Sequence, residues 1–454
     1  MNYTMAEVVS QFKREWTKWL AKEAIEKLCS DLGYTWRERL LTPAITTQLM
    51  LLQVLHGNTA ISHLPHLANK RFSPGAFCRA RMRLPLVFFE LLLYRITGLL
   101  QGEDYQKHTW CGHRIFVADG TGVSMPDTLK LADEFDYPPS QRVGAAFPVA
   151  KIGFMLHLGT GMIAKMLIEP YRSHDIKRVA EFHPELTEGD VFLADRAYCS
   201  YNHFCLILQG KMHALIRMHS RLVADFRPGR KYCAAGEVPD YLKQTRSRQI
   251  QLLGKKDQIV EWFKPERKAK SMSKEYYEAL PCSIVVREVE YQLSEPGFRS
   301  RKIVVITTLL DSKKYTAKKI AELYGLRWEI ETAFNHIKTT MGMDILKSKT
   351  PDGIKKELHT YCIVYNLIRL VVLQAAKKQK VKPKQISFVD ALRWLIHAKP
   401  EQQLYALLLI PQRPTRFEPR ARKRRQKSGY PFLLRPRYEL RKKRLNPTTN
   451  SLSK

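Results

Sequence analysis

The stretch that decides the fold is YGLRWEIETAFNHIK, which runs from Tyr324 to Lys338. An α-helix advances about 100° per residue, so this spacing places Tyr324, Arg327, Glu331 and Lys338 on one narrow stripe. The adjacent arc is apolar, as expected of a helix that packs on a core, and holds Leu323, Ile330, Phe334, Ile337 and Met341. A cleft could lie along that edge. An i,i+4 pair such as Arg327 and Glu331 is also common on exposed helices, so periodicity alone permits a solvated face.

Two aspartates upstream each follow a short apolar run that reads as a buried strand. Residues 114–119 read RIFVAD, and residues 191–195 read VFLAD. Taken alone, Asp119 before Gly120 is an ordinary strand-to-turn residue, and Asp195 beside Arg196 is a surface ion pair. Both aspartates nevertheless end apolar strands, which hold a carboxylate rigidly, and both precede Glu331 in the chain. Four other acids, which lie in a polar stretch read as a loop, are not grouped with these three: Asp127, Asp133, Glu134 and Asp136.

The net charge of +33 on 454 residues points to a polyanionic partner, with DNA or RNA as the default. Residues 411–454 carry 15 Lys and Arg against two Glu, a net charge of +13. About +20 therefore remains on the preceding residues, so the tail alone does not account for the charge. The most apolar run, residues 84–100, is interrupted by Glu90 and Arg95, and we expect no membrane partner.

The pattern Y-x2-R-x3-E-x6-K resembles the signature of the IS-four group of insertion-sequence transposases, which are DDE enzymes of the RNase H-like superfamily. Residues 320–323 (IAEL) and 327–331 (RWEIE) also look like this group. The resemblance covers roughly residues 45–375 and is clearest at 114–119, 190–205 and 303–350. It implies an α/β fold: an RNase H-like mixed sheet with a β-rich insertion, preceded by an α-helical N-terminal domain.

The elements read from the sequence fit this plan. A strand at 114–119, a hairpin of 151–158 and 162–168, and strands at 191–195 and 214–218 would form the core. Strand-like residues at 250–263 and 283–291 lie in the insertion, and the strand 303–310 follows. Helices are expected at 200–209, 315–342, 356–377 and 386–397. The expected domains are 1–105 (helical, DNA-binding), 106–220 and 303–397 (catalytic core), 221–302 (insertion) and 398–454 (basic tail).

In the catalytic role that the resemblance implies, Asp119, Asp195 and Glu331 bind two Mg²⁺ (or Mn²⁺) ions. Asp119 would be the ligand shared by both ions, Asp195 a ligand of one and Glu331 a ligand of the other. Carboxylate oxygens are the ligands that Mg²⁺ prefers. In such sites one ion activates the attacking hydroxyl and the other stabilises the leaving oxygen.

The resemblance also implies that Tyr324, Arg327 and Lys338 bind phosphates of the transposon end, near a flipped base. Trp328 would help to stack that base, or would pack in the core. Arg217, at the end of a strand, either contacts DNA or is a surface arginine.

Near the N-terminus, residues 59–68 and 73–84 read as two helices around a turn, with Ser73 as N-cap and Pro74 at the first helical position. The second helix carries Arg79 and Arg81, which would enter a major groove if the pair is a helix-turn-helix. A helical bundle with a solvated basic face fits equally well.

The resemblance, together with the three acids and the positive charge, implies a DDE transposase that cuts DNA and transfers strands at the ends of an insertion sequence. Its partners would be double-stranded DNA, as terminal inverted repeats and target, and a second copy of the chain in the synaptic complex. It would act in the bacterial cytoplasm, at the nucleoid. The alternatives are an RNase H-like nuclease without strand transfer and a non-catalytic nucleic-acid-binding protein. A tyrosine recombinase with Tyr324 as nucleophile is rejected. Such enzymes need a cluster of Arg and His, commonly with an H-x-x-R pair, and no His in the chain has an Arg three positions later.

Overall fold

A computed structural model describes residues 20–98, 109–138, 147–173, 175–228, 247–268, 272–293 and 301–397. The basic tail at 398–454 lies outside the described residues. The sequence also predicts an amphipathic helix at 5–29, and residues 5–19 of it lie outside them as well.

The described strands form a single mixed sheet with the order 3-2-1-4-5-9-8-7-6. Their bounds are β1 Ile115–Ser124, β2 Val149–His157, β3 Met162–Pro170, β4 Val191–Ala194, β5 His213–Arg217, β6 Ser247–Gly254, β7 Asp257–Phe263, β8 Ser283–Leu293 and β9 Arg301–Thr307.

The first five strands form one half of the sheet. β1, β2 and β3 are an antiparallel meander, and β4 and β5 continue from β1 as parallel strands. The hairpin predicted around residues 159–161 is confirmed, since Phe154 pairs with Met166 across it. This order is the RNase H-like arrangement, so the predicted mixed α/β fold is confirmed.

The insertion strands extend this sheet, because β9 pairs antiparallel with both β5 and β8. The single strand-like segment expected at 250–263 is in fact the hairpin β6–β7. The tight link is made at Lys255 and Lys256, which lie between the two strands.

Some of the helices pack on the sheet and others pack on neighbouring helices. Their bounds are α1 Lys22–Asp31, α2 Pro43–Leu55, α3 Leu64–Ala68, α4 Pro74–Arg83, α5 Leu86–Gly98, α6 Leu129–Phe135, α7 Tyr201–Gln209, α8 Lys274–Ala279, α9 Ala317–Gly325, α10 Trp328–Asn335, α11 Pro351–Gln379 and α12 Phe388–His397. The predicted start of α4 is confirmed, because Ser73 Oγ accepts the N–H of Ala76 at 3.2 Å. Between α3 and α4, Asn69 adopts a left-handed conformation that turns the chain.

The long helix α11 is the centre of the core. It packs against α2, α5, α12 and β3, so the N-terminal helices and the sheet share one hydrophobic interior. By length and composition α11 could cross a membrane, but 83% of its most apolar window is buried inside the protein. Its apolar composition is therefore explained by its central position.

The signature segment departs from the single helix predicted over 315–342. The amides of Leu326 and Arg327 bond carbonyls three residues back, at 3.0 and 3.1 Å, and this tight turn separates α9 from α10. A π-helical turn, His336–Thr340, ends the segment, with the amide of Met341 bonded to His336 O. The predicted apolar arc is confirmed, since Leu323, Ile330, Ile337 and Met341 are each 1% exposed and Phe334 is partly buried against them.

Candidate active site

Asp119 and Asp195 lie side by side on neighbouring parallel strands. Ala118 of β1 pairs with Ala194 of β4, so each aspartate is the next residue after the last paired position. Adjacent strands are about 4.8 Å apart, which brings the two carboxyl groups to one edge of the ladder. β4 ends there because Asp195 Oδ1 accepts the N–H of Ala197 at 3.2 Å and caps the 3₁₀ turn that follows.

β1 does not end at Asp119, contrary to the sequence-based reading. It continues to Ser124, because residues 119–124 keep their pairing with β2 and Ser124 also bonds the segment around Asp344. The Asp119 carboxylate accepts the N–H of Gly120 at 2.8 Å, which fixes its orientation at the point where the parallel ladder stops.

Glu331 reaches this edge from α10, which packs on β1. Arg327 connects the two elements. Its Nη1 lies 3.2 Å from Asp119 Oδ2, and its Nη2 lies 3.1 Å from Glu331 Oε1. The Arg327 side chain is only 10% exposed, whereas that of Glu331 is 42% exposed. The guanidinium therefore bridges two of the three predicted carboxylates.

The pKa shifts of Asp119 and Arg327 indicate that these groups share one electrostatic environment. The pKa of Asp119 is raised to about 6, mainly by burial and also by the charges of Asp195 and Glu331, against the opposing effects of Gly120 N–H and Arg327. Burial opposes the charge of Arg327, yet its pKa is raised by Tyr324 and by the three acids. All three carboxylates therefore lie within electrostatic reach of Arg327.

The donor set suits a divalent cation, but the side chains are not arranged around one. Two aspartates and a glutamate supply the hard oxygen ligands that Mg²⁺ or Mn²⁺ requires. Within the described ranges, however, no three His, Cys, Asp or Glu side chains converge closely enough to hold a metal ion. Instead, the cationic group of Arg327 lies between Asp119 and Glu331.

The remaining signature residues surround this bridge. Tyr324 is buried, and burial raises the pKa of its phenol. Lys338 Nζ bonds Thr121 Oγ1 at 3.1 Å and Gly122 O at 3.0 Å, on the continuation of β1. Trp328 is 56% exposed, so the alternative that it packs in the core is wrong. The Arg327 guanidinium carbon lies 5.5 Å from the centre of the Trp328 ring.

Arg217 lies at the end of β5 and is half-buried. Its charge lowers the pKa of Tyr324, whose dominant shift is upward through burial, so it belongs to the same cluster. Tyr291, near the end of β8, also belongs to it and was missed from the sequence. Tyr291 is the last residue of a predicted strand, as the two aspartates are. That position was the signal that could have identified it as a site residue.

Arg79 and Arg81 lie elsewhere, on α4. Arg79 is exposed and Arg81 is half-buried. The C-terminus of this helix is held against α11, because Lys356 Nζ donates to Met82 O at 2.9 Å. The two arginines thus lie on a fixed basic face, and the helix-turn-helix and bundle interpretations both remain compatible with it.

Three of the four unassigned acids have other partners. Asp127 accepts from Tyr137 at 2.8 Å, Asp136 pairs with Arg172 at 2.9 Å, and Glu134 pairs with Lys355 at 2.6 Å. Asp133 is exposed. The loop expected here contains the short helix α6, which Thr128 caps.

Two aspartates on neighbouring strands of a mixed sheet, with a helical glutamate beside them, are the arrangement that the DDE resemblance predicts. Residues 110–367 match the family described as Transposase DDE domain. The chain therefore belongs to the Transposase DDE domain family, and its relatives are transposases of the IS-four group. Divalent-metal dependence and DNA binding are properties of this family.

The relatives are distant. Transposase InsG for insertion sequence element IS4 of Escherichia coli K12 is 23% identical over 326 residues, which cover 70% of this chain and 66% of that protein, just under two thirds. The transposase for IS231F of Bacillus thuringiensis subsp. israelensis is 22% identical over 437 residues, which cover 87% of this chain and 88% of that protein. A piggyBac transposase synaptic complex with hairpin DNA aligns at a TM-score of 0.42 and 11% identity. The alignment covers 87% of this chain and 79% of that chain.

Proposed function

We propose that this chain cuts DNA at the ends of an insertion sequence and transfers the freed strands to a target, with Asp119, Asp195 and Glu331 as its metal ligands. The observation that carries the proposal is the Arg327 bridge between Asp119 and Glu331, in a chain of the transposase family. The guanidinium lies between two acids, with a third acid nearby, in the place that a metal ion would take. Such a bridge therefore indicates a site for cations.

The three carboxylates fit two Mg²⁺ or Mn²⁺ ions by ligand type and charge. When bound, these ions would activate the attacking water or 3′-hydroxyl and stabilise the leaving oxygen. Asp119 is the natural shared ligand, because it lies between Asp195 on the next strand and Glu331 on α10. The protein prepares this arrangement by fixing Asp119 on a strand that is paired on both sides.

Arg327 would have two successive partners. In the free protein it neutralises Asp119 and Glu331. A backbone phosphate is an equally good bidentate partner for a guanidinium, so bound DNA would compete with the carboxylates for it. DNA binding would then release both acids for the cations, and cleavage would be confined to correctly bound ends.

The other signature residues would position the strand. Tyr324 and Lys338 flank Arg327 and offer a phenol and an ammonium group to phosphates. The exposed ring of Trp328 is available as a stacking surface for a flipped base. Arg79 and Arg81 would contact DNA at a second place, on α4.

The proposed substrates are the terminal inverted repeats and a target duplex, with two copies of the chain bringing two ends together. The domain limits 1–105, 106–220, 221–302, 303–397 and 398–454 are proposed with them. Such a function belongs to the nucleoid in the bacterial cytoplasm.

The test is incubation of the protein with its flanking DNA and Mg²⁺ or Mn²⁺, with cleavage and strand transfer scored separately. Asp119→Asn and Glu331→Gln should each lose cleavage by more than about a hundredfold while still binding the ends. Asp133→Asn, an exposed acid on α6, is the matched control and should cut normally.

Two results would contradict the proposal. Cleavage without joining would favour a nuclease of the same superfamily. Salt-sensitive binding without any metal-dependent cutting would favour a non-catalytic DNA-binding protein.

A further inference from the structure

Two buried polar atoms of the cluster around Arg327 have no hydrogen-bond partner within the described part of the chain: Tyr291 Oη and Arg327 Nε. Buried polar groups are nearly always paired, because an unpaired donor loses its bonds to water without compensation. The other two guanidinium nitrogens of Arg327 are already engaged with Asp119 and Glu331. The free atoms therefore indicate a group that the protein is built to receive.

The sheet brings Tyr291 to Arg217. Val305 of β9 pairs with Arg217 of β5 on one side and with Val289 of β8 on the other. Residues opposite one another across a ladder share a face, and so do residues two apart on one strand. Tyr291 follows Val289 by two residues, so its side chain and that of Arg217 extend over the same face.

The charges reaching this phenol are positive. Burial raises the pKa of Tyr291 to about 12, while Arg217 and Arg327 act in the opposite direction. The phenol consequently keeps its proton at neutral pH and can donate it. A phenolic donor and a guanidinium donor, with a second guanidinium nearby, are complementary to an oxyanion.

We propose that Tyr291 binds the DNA directly, donating its phenolic hydrogen bond to a backbone phosphate that Arg217 and Arg327 hold from the other sides. This inference rests on the proposed function, since it assumes that the occupant is the nucleic acid strand at this active site. It gives the insertion a role in gripping the substrate, because β8 belongs to the insertion.

The test is Tyr291→Phe, which removes one oxygen and keeps the ring that packs on the core. Binding of labelled transposon-end DNA is measured without metal, so that cleavage does not contribute. Affinity should fall about tenfold, with an unchanged salt dependence because no charge is lost. Arg217→Gln should weaken binding and also lower the salt slope by about 1.

Three controls separate this role from a structural one. Tyr276→Phe removes the phenol of a tyrosine on α8 that is 37% exposed, and should bind DNA normally. The melting temperature of Tyr291→Phe without DNA should be equal to or above that of the wild type, because its hydroxyl has no partner to lose. The double variant with Arg217→Gln should be weakened less than the two single effects combined, since both groups contact one phosphate.

Unchanged DNA affinity in Tyr291→Phe, or a melting temperature well below that of the wild type, would overturn the inference. A second test places a single methylphosphonate at each position of the transposon end in turn. At one position the affinities of the wild type and Tyr291→Phe should become equal. If they remain different at every position, the inference is also overturned. If the wild type binds transposon ends but never cuts them, the proposed function fails. The binding test of Tyr291→Phe still decides whether Tyr291 contacts the DNA. If it cuts them and Tyr291→Phe binds normally, only this inference fails.

Discussion

Replacing Arg327 with glutamine should increase metal affinity and decrease activity at the same time. In the free protein the guanidinium bonds Asp119 at 3.2 Å and Glu331 at 3.1 Å, and its side chain is only 10% exposed. A cation that enters must displace this bridge and also overcome repulsion from the positive charge. The neutral amide of glutamine removes both obstacles.

The magnitude follows from the two charged hydrogen bonds. A hydrogen bond to a charged group contributes about 1.5–3 kcal/mol, and binding an ion requires the loss of at least one of them. At about 1.4 kcal/mol per factor of ten, the Mn²⁺ affinity of DNA-free Arg327→Gln should rise roughly tenfold to a hundredfold. Its affinity for transposon ends and its cleavage rate should both fall, because the phosphate loses its bidentate partner.

The assay is a Mn²⁺ titration of the DNA-free protein at neutral pH, followed by paramagnetic resonance or calorimetry. Arg178→Gln is a matched control, since Arg178 also lies between two glutamates, Glu169 and Glu181, but outside the site. Adding Asp119→Asn to Arg327→Gln should abolish the gain. If Arg327→Gln binds Mn²⁺ no better than the wild type, the guanidinium does not hold the place of the cation and the reasoning is refuted.

Three further results are expected. Because burial raises the pKa of Asp119 to about 6, protons should compete with Mn²⁺, and affinity should fall about tenfold per pH unit below pH 6; a flat titration down to pH 5 would contradict this. Burial lowers the pKa of His203 from 6.5 to about 3 and that of its partner His183 to about 4, so the unfolded chain binds more protons in this range. Stability should be full above pH 6.5 and decline as the pH falls toward 4, by about 2 kcal/mol at pH 5 for His203, and urea unfolding of His203→Gln should lack that part of the decline. Glu357→Ala should lower the free energy of unfolding by about 3–5 kcal/mol, because the buried carboxylate accepts from Asn58 Nδ2 and from two backbone amides at 2.8–2.9 Å; a loss below about 1 kcal/mol by urea denaturation would show that these donors find other partners.

The sequence was sufficient to predict those elements that depend only on neighbouring residues. The hairpin β2–β3, the buried strand β4 and the N-cap of α4 formed as predicted, because alternation, short apolar runs and a Ser-Pro start act over a few residues. The apolar arc of the signature segment was also predictable, since a period of 3.6 survives a small break.

Elements decided by a distant partner were not readable in the same way. β1 passes Asp119 because β2 continues to pair with it, and the insertion joins the core sheet because β9 has a free edge of β5 to pair with. The helix break at Leu326 and Arg327 is likewise a tertiary matter, because it turns the guanidinium toward Asp119, 208 residues earlier in the chain.

The sequence by itself therefore determined the excess of positive charge, and its patterns predicted both the grouping of the three acids and the RNase H-like class. Only the tertiary structure decided that Arg327 stands between Asp119 and Glu331, and that Tyr291 joins the cluster through an unpaired phenol. The physical reason is that residue type and spacing are local properties, whereas the partner of a buried charge or donor is chosen by the packing of elements far apart in the chain.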